Sequence, residues 1–280
     1  MRWRNRRQST NIEDRRAMRG GGGVRLTGGM GGLGLVAFVV IALLLGVDPM
    51  ALLQQTSGPP PATTRDQEDL RDFVAVVLAD TEDVWTARFE EAGGTYVPVP
   101  VVLYTGRTSS GCGLAGAEIG PFYCPGDQRI YLDLSFFDDL ERELGARGDF
   151  ARAYVVAHEV GHYIQDQIGV LGQINRRMAG LPEDQANALS VRLELQADCL
   201  AGVWSHDAEA KLGVLEPGDI EEALGAAARI GDDALQQRAR GYVVPDSFTH
   251  GTSAQRVAWF NRGYRSGDQK ACDTFSAAAL

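Results

Sequence analysis

The sequence predicts an α+β domain, mostly helical with a small β-sheet, set behind one N-terminal transmembrane helix. Three observations lead there. Long stretches of the 280-residue chain repeat their apolar residues at helical spacing, two short runs of β-branched and aromatic residues read as strands, and residues 28–47 carry no charge. A hydrophobic content of 44% suits a packed core of this size.

Charge is distributed unevenly along the chain. The net value of -10 combines an N-terminal 27 residues at +6, with eight Arg against Glu13 and Asp14, and a remainder at -16. Residues 1–27 hold few apolar side chains and are expected to form an Arg-rich flexible cytoplasmic tail. Residues 28–47 follow as the transmembrane helix, because twenty helical residues cover about 30 Å, the thickness of a hydrocarbon core. A buried core helix is one alternative; a cleaved signal peptide is the stronger rival, but it would have a shorter apolar run and a shorter basic start, with a small-residue cleavage site after it. The positive-inside rule places the N-terminus inside and the rest outside. Residues 48–65 are a Pro/Ser/Thr linker, and residues 66–280 form the domain. The acidic remainder would repel phosphates, which argues against a nucleic-acid partner.

Within the domain, Leu70, Phe73, Val74, Val77, Val84, Trp85 and Phe89 predict a helix over Asp69–Glu91, ended by Gly93 and Gly94. Tyr96–Tyr104 predicts a strand, partly at an edge because of Pro98 and Pro100. Gly106–Gly126 reads as a loop, Arg129–Leu134 as a second strand and Phe136–Leu140 as the start of a short helix. Asp149 is expected to cap a helix that Gly169 ends. Further helices are predicted over Glu183–Leu212, Pro217–Arg240 and Ser253–Tyr264. Cysteines stand at 112, 124, 199 and 272 with no CxxC pair, so an oxidising compartment would give two disulfides. Of the three pairings allowed, Cys112–Cys124 with Cys199–Cys272 is the simplest.

Function is concentrated in His158-Glu159-Val160-Gly161-His162. On a helix the two imidazoles lie one turn apart on one face and can share a zinc ion, with Glu159 beside it as general base. A catalytic zinc takes three protein ligands and leaves one position open. The extended HExxHxxGxxH pattern fails here, since Gln165 and Ile168 occupy its last two fixed positions. Glu194 offers the third ligand. Asp198, one turn further along that helix, can accept the N–H of a ligand histidine and orient it. His206 is a rival ligand more than three turns beyond Glu194. His250, in the loop Ser247–Ser253, is a candidate donor to the oxyanion of the reacting carbonyl, with Tyr242 and Arg256 as weaker ones.

These motifs, together with Gly120–Cys124, Thr249–Ser253 and the Arg-rich start, resemble the neutral zinc metallopeptidase family of bacteria over nearly the whole chain. Tyr163 departs from it, standing where relatives carry a further His. The resemblance implies a zincin-like domain. Its zinc ligands would be His158, His162 and Glu194, its base Glu159, and its supporting carboxylate Asp198. The expected protein is a single-pass, membrane-anchored endopeptidase of envelope proteins, with a peptide or protein substrate and the catalytic domain outside. The alternative is an envelope scaffold that keeps zinc for stability and cuts nothing.

Overall fold

The computed structural model describes residues 1–17, 64–116, 119–278 and 280. Its elements in order are β1 (Ile12–Asp14), α1 (Arg65–Glu91), β2 (Val101–Tyr104), β3 (Arg107–Ser110), β4 (Gly113–Gly116), β5 (Phe122–Cys124) and β6 (Arg129–Asp133). They continue with α2 (Ser135–Arg142), α3 (Asp149–Gln167), α4 (Val170–Met178), α5 (Glu183–Leu212), α6 (Asp219–Arg229), α7 (Asp232–Arg240) and α8 (Ser253–Ser266). The domain is thus mostly helical α+β, as the periodicity predicts.

A four-stranded sheet runs in the order β1-β2-β6-β5, with β1, β2 and β6 parallel and β5 antiparallel to β6. The two-residue period of the strands sorts their side chains. Val101, Leu103, Ile130 and Leu132 join the helical core, while Val102, Tyr104 and Tyr131 pack on the other side with Ala115 of β4. β3 and β4 form a separate antiparallel hairpin.

Helices α3, α5 and α8 make the centre of the core. Phe150 on α3 stacks on Trp204 of α5 at 5.8 Å, and Tyr154 meets the edge of Phe260 on α8 at 5.5 Å. The axes of α5 and α8 approach so closely that a Cβ on Gly263 would overlap the carbonyl oxygen of Cys199, and one on Gly202 that of Phe260. Cys199 is also bonded to Cys272 and Cys112 to Cys124, the simplest pairing.

Several elements differ from the sequence reading. Residues 1–17 were expected to be a flexible tail, but they lie on the domain. Met1 is buried, and β1 pairs in register with β2. β2 is therefore an inner strand rather than an edge strand, and it begins only after Pro100 because a proline has no N–H to give a ladder. The loop over 106–126 contains β3, β4 and β5. α1 starts one turn early, where Thr64 and Gln67 form a capping box. Gly148, not Asp149, caps α3, and Asp149 accepts from Trp3 Nε1 at 3.1 Å. α4 was not predicted.

The helix expected over 217–240 is two helices, broken at Gly231. There the backbone is extended, and a Cβ would strike the Ser253 amide. Among the described residues no helix is long and apolar enough to cross a membrane, and residues 28–47 lie outside them.

Gly263→Ala is expected to force α8 away from α5 and to lower stability by about 1–3 kcal/mol or more. Gly225→Ala, on α6 with nothing within 4 Å, should be neutral or stabilising. Urea unfolding of the two variants and the parent checks this.

Candidate metal centre

α3 is amphipathic in a restricted sense, with its apolar residues in the core and one turn, His158 to His162, open to a cleft. The imidazole of His158 stands 4.8 Å from that of His162, at 89°. α5 crosses behind them and supplies Glu194. Its Oε2 lies 3.1 Å from His158 Nε2 and its Oε1 3.3 Å from His162 Nε2. One ligand atom from each of the three residues lies within 4.8 Å of the others. Ligands about 2.0–2.2 Å from a tetrahedral zinc stand roughly 3.3–3.5 Å apart, close to the two His–Glu separations. Two imidazoles and a carboxylate are also a donor set that zinc accepts. The residues fit the ion.

Both imidazoles are aimed from behind. Asp198 Oδ1 accepts from His158 Nδ1 at 2.8 Å, and Gln165 Oε1 accepts from His162 Nδ1 at 2.9 Å, which leaves each Nε2 free as a ligand. Gln165 is itself fixed, donating to the Leu193 carbonyl at 2.7 Å. Asp198 is fully buried. It accepts from Arg256 Nε at 2.9 Å, from Arg256 Nη2 at 3.0 Å and from the Tyr154 hydroxyl at 2.5 Å. Arg256 comes from α8, so the α5–α8 contact delivers the cation that neutralises this carboxylate.

Burial alone would depress the His158 imidazolium, but the charge and hydrogen bond of Asp198, with a hydrogen bond from Glu194, raise its pKa to about 10. Glu194 is held well below the usual carboxylate range; burial opposes this and the charge of His162 with hydrogen bonds from both histidines outweighs it. The field at this point therefore favours positive charge between the three side chains. Glu159 is buried to 7% exposure, lines the cleft and makes no ion pair with any described residue.

The cleft holds about 760 Å³. One wall is β5 and its flanks, with Pro121, Phe122 and Tyr123, held to α3 because the Tyr123 hydroxyl donates to Asp166 at 2.7 Å. Ile230, Leu235 and His250 also line the cleft. His250 is half-exposed, with Nδ1 3.2 Å from Asp232 Oδ1, and its amide donates to Asp232 Oδ2 at 2.6 Å. That hydrogen bond to Asp232, against the effect of burial, raises the pKa of His250. Burial opposes and the same hydrogen bond lowers that of Asp232.

The structure thus brings His158, Glu159, His162, Glu194, His250 and Arg256 to one cleft, with Asp198 buried behind His158. His206 is elsewhere, bonded through Nδ1 to the Tyr264 carbonyl at 2.8 Å, and Tyr242 is exposed outside the cleft. Sequence reasoning missed Gln165 and Asp232. Gln165 stands three residues beyond His162, a facing position on a helix. Gly231-Asp232-Asp233 is a helix-start signal that lay inside a stretch read as continuous helix.

Two histidines one turn apart on one helix and a glutamate from a later helix define an HExxH-type candidate metal centre that opens to the cleft. The chain belongs to the family described as "Putative neutral zinc metallopeptidase", which matches residues 1–275. It is similar to the uncharacterized protein YpfJ of Escherichia coli strain K12, at 49% identity over 98% of this chain and 99% of that one. It is also similar to the uncharacterized protein Rv2575 of Mycobacterium tuberculosis strain H37Rv, at 43% identity over 85% and 86%. No solved structure matches.

Gln165→Leu removes the acceptor that orients His162 and is expected to weaken zinc binding by roughly 10–100-fold without unfolding the domain. Competition with a chromophoric chelator measures it, with circular dichroism as the check on folding.

Proposed function

We propose that the protein is a zinc-dependent endopeptidase that takes an extended peptide into the cleft of a zincin-like domain. The observation that carries this reading is the convergence of His158 Nε2, His162 Nε2 and the Glu194 carboxylate on one point that opens into a cleft, with Glu159 beside it. A purely structural zinc site is closed by a fourth protein ligand and has no use for a free carboxylate next to the ion.

Zinc bound there would supply Lewis acidity to the scissile carbonyl and acidify water. The chain's own residues do the rest. Glu159 takes the proton of the attacking water on its carboxylate and returns it to the leaving amine nitrogen. His250, with Nδ1 engaged by Asp232, offers Nε2–H to the oxygen that gains charge in the transition state. Asp198 and Gln165 keep the imidazoles in the tautomer that binds metal, and Arg256 keeps Asp198 charged and fixed. The β5 wall, the outer strand of the sheet among the described residues, supports pairing with substrate main chain. The uncharged stretch 28–47 and the two disulfides support action at a membrane in an oxidising envelope.

Glu159→Gln should keep zinc bound at full stoichiometry and lower the rate of peptide cleavage by about 10²–10⁴-fold. Comparing envelope protein termini between cells with the parent and with this variant tests the reading. Equal cleavage by both would sink the mechanism, and no cleavage by either would leave the zinc-holding scaffold.

The His250–Asp232 pair gives a pH test. His250 has a raised pKa in the folded chain, so its protonated form persists above the ordinary value of about 6.5 and is lost as pH rises through the raised value. Asp232→Asn removes the cause and should move the alkaline limb of kcat to lower pH. An unmoved limb would take His250 out of the mechanism.

A further inference from the structure

We propose that residues 1–17, with β1 at Ile12–Asp14, are a structural part of the domain and lie on the same side of any membrane as the metal centre. The inference is independent of the peptidase reading. Its basis is what the domain would lose if the segment were elsewhere. Asp80 and Glu82, on α1, are 2% and 7% exposed. The cation beside Asp80 is Arg6, at 2.7 Å, and Glu82 receives Arg7 at 3.1 Å, the Ser9 hydroxyl at 2.5 Å and Asn11 at 2.8 Å, all from the N-terminal segment. Removing one partner of a buried ion pair leaves an uncompensated charge, which is strongly destabilising. The edge of β2 would also be uncovered. β1 closes it with Val101 N–H donating to Asn11 O at 2.8 Å and Arg15 N–H to Leu103 O at 2.7 Å.

The arginines that argued for a cytoplasmic N-terminus are engaged with the chain itself. Arg2 donates to the Leu215 carbonyl, Arg4 faces Asp69, Arg6 and Arg7 hold α1, Arg15 reaches Ser109 O, and Arg16 bonds Glu68 at 2.9 Å. Six of the eight positive charges counted before residue 28 are therefore spent on the domain. Arg16 also donates to the Gln67 carbonyl at 2.9 Å, so residues 16 and 67 are adjacent. The chain between them leaves and returns at one place.

A chain held on one face at both ends crosses a bilayer an even number of times. Two helical crossings need roughly 40 apolar residues, and the sequence between 17 and 64 offers one long apolar stretch, within 28–47, because the uncharged residues 49–64 are rich in Pro, Gln, Ser and Thr. A single span with residues 1–17 inside and the metal centre outside is incompatible with this docking.

All four natural cysteines are in disulfides, so an introduced thiol is the only free one. Thr10→Cys in the N-terminal segment and Tyr242→Cys in the domain are both at exposed positions. Full-length variants in intact cells would be treated with a membrane-impermeant maleimide before lysis, and the remainder labelled in denaturant afterwards. The expected result is that both thiols react before lysis, or that both react only after it. One thiol reacting before lysis and the other only after would overturn the proposal. Gln8→Cys, also exposed, replaces Thr10→Cys if that variant misfolds. In the purified full-length parent, slow hydrogen exchange at Arg15 and Val101 is expected, and exchange at the rate of an open chain at both would overturn it equally.

Discussion

The buried carboxylate of Asp198 is the point on which the structure turns. It sits on α5 with no solvent exposure and meets Arg256 from α8 and Tyr154 and His158 from α3. An isolated charge in that position would be prohibitive, and a bidentate guanidinium with two further donors makes it tolerable. Three helices must therefore arrive together with their polar residues in register. The same carboxylate orients the His158 imidazole, so the interaction that fixes the helices also fixes a candidate ligand.

Geometry elsewhere in the cleft follows from breaks in regular structure. Gly231 ends one helix and starts the next, which turns the Asp232 carboxylate toward the 249–251 loop, where it accepts from the amides of His250 and Gly251. Capping by Thr252 then launches α8, and with it Arg256, in the required direction. Arg256, which holds Asp198, and His250 across the cleft thus share one short stretch of chain.

The N-terminal segment obeys the same logic of satisfied charge. Arg16 is 4% exposed between Asp14 and Glu68, and β1 completes a sheet whose β2 residues are fully buried. A composition of Arg, Gly and polar residues reads as a free tail because it has no apolar face of its own. Carboxylates on α1 give these arginines partners, and no periodicity in the segment announces that.

The sequence by itself singled out His158, His162 and Glu194 as candidate metal ligands, Glu159 as candidate base, and the helices that carry them. A helix puts residues four apart on one face whatever surrounds it, so His158 with His162, and Glu194 with Asp198, could be paired from spacing alone. Local signals also marked the ends of α3 and α5 at Gly169 and Gly213. Only the tertiary structure decided which acceptor each imidazole meets, that Asp232 stands behind His250, that Arg256 holds Asp198 beside the cleft, and that residues 1–17 pack on the domain and give the sheet its β1. Each of these depends on contact between residues distant in the chain. Such contacts are set by how α5, α8 and α1 pack, and packing is a property of shape and buried charge that no local spacing records.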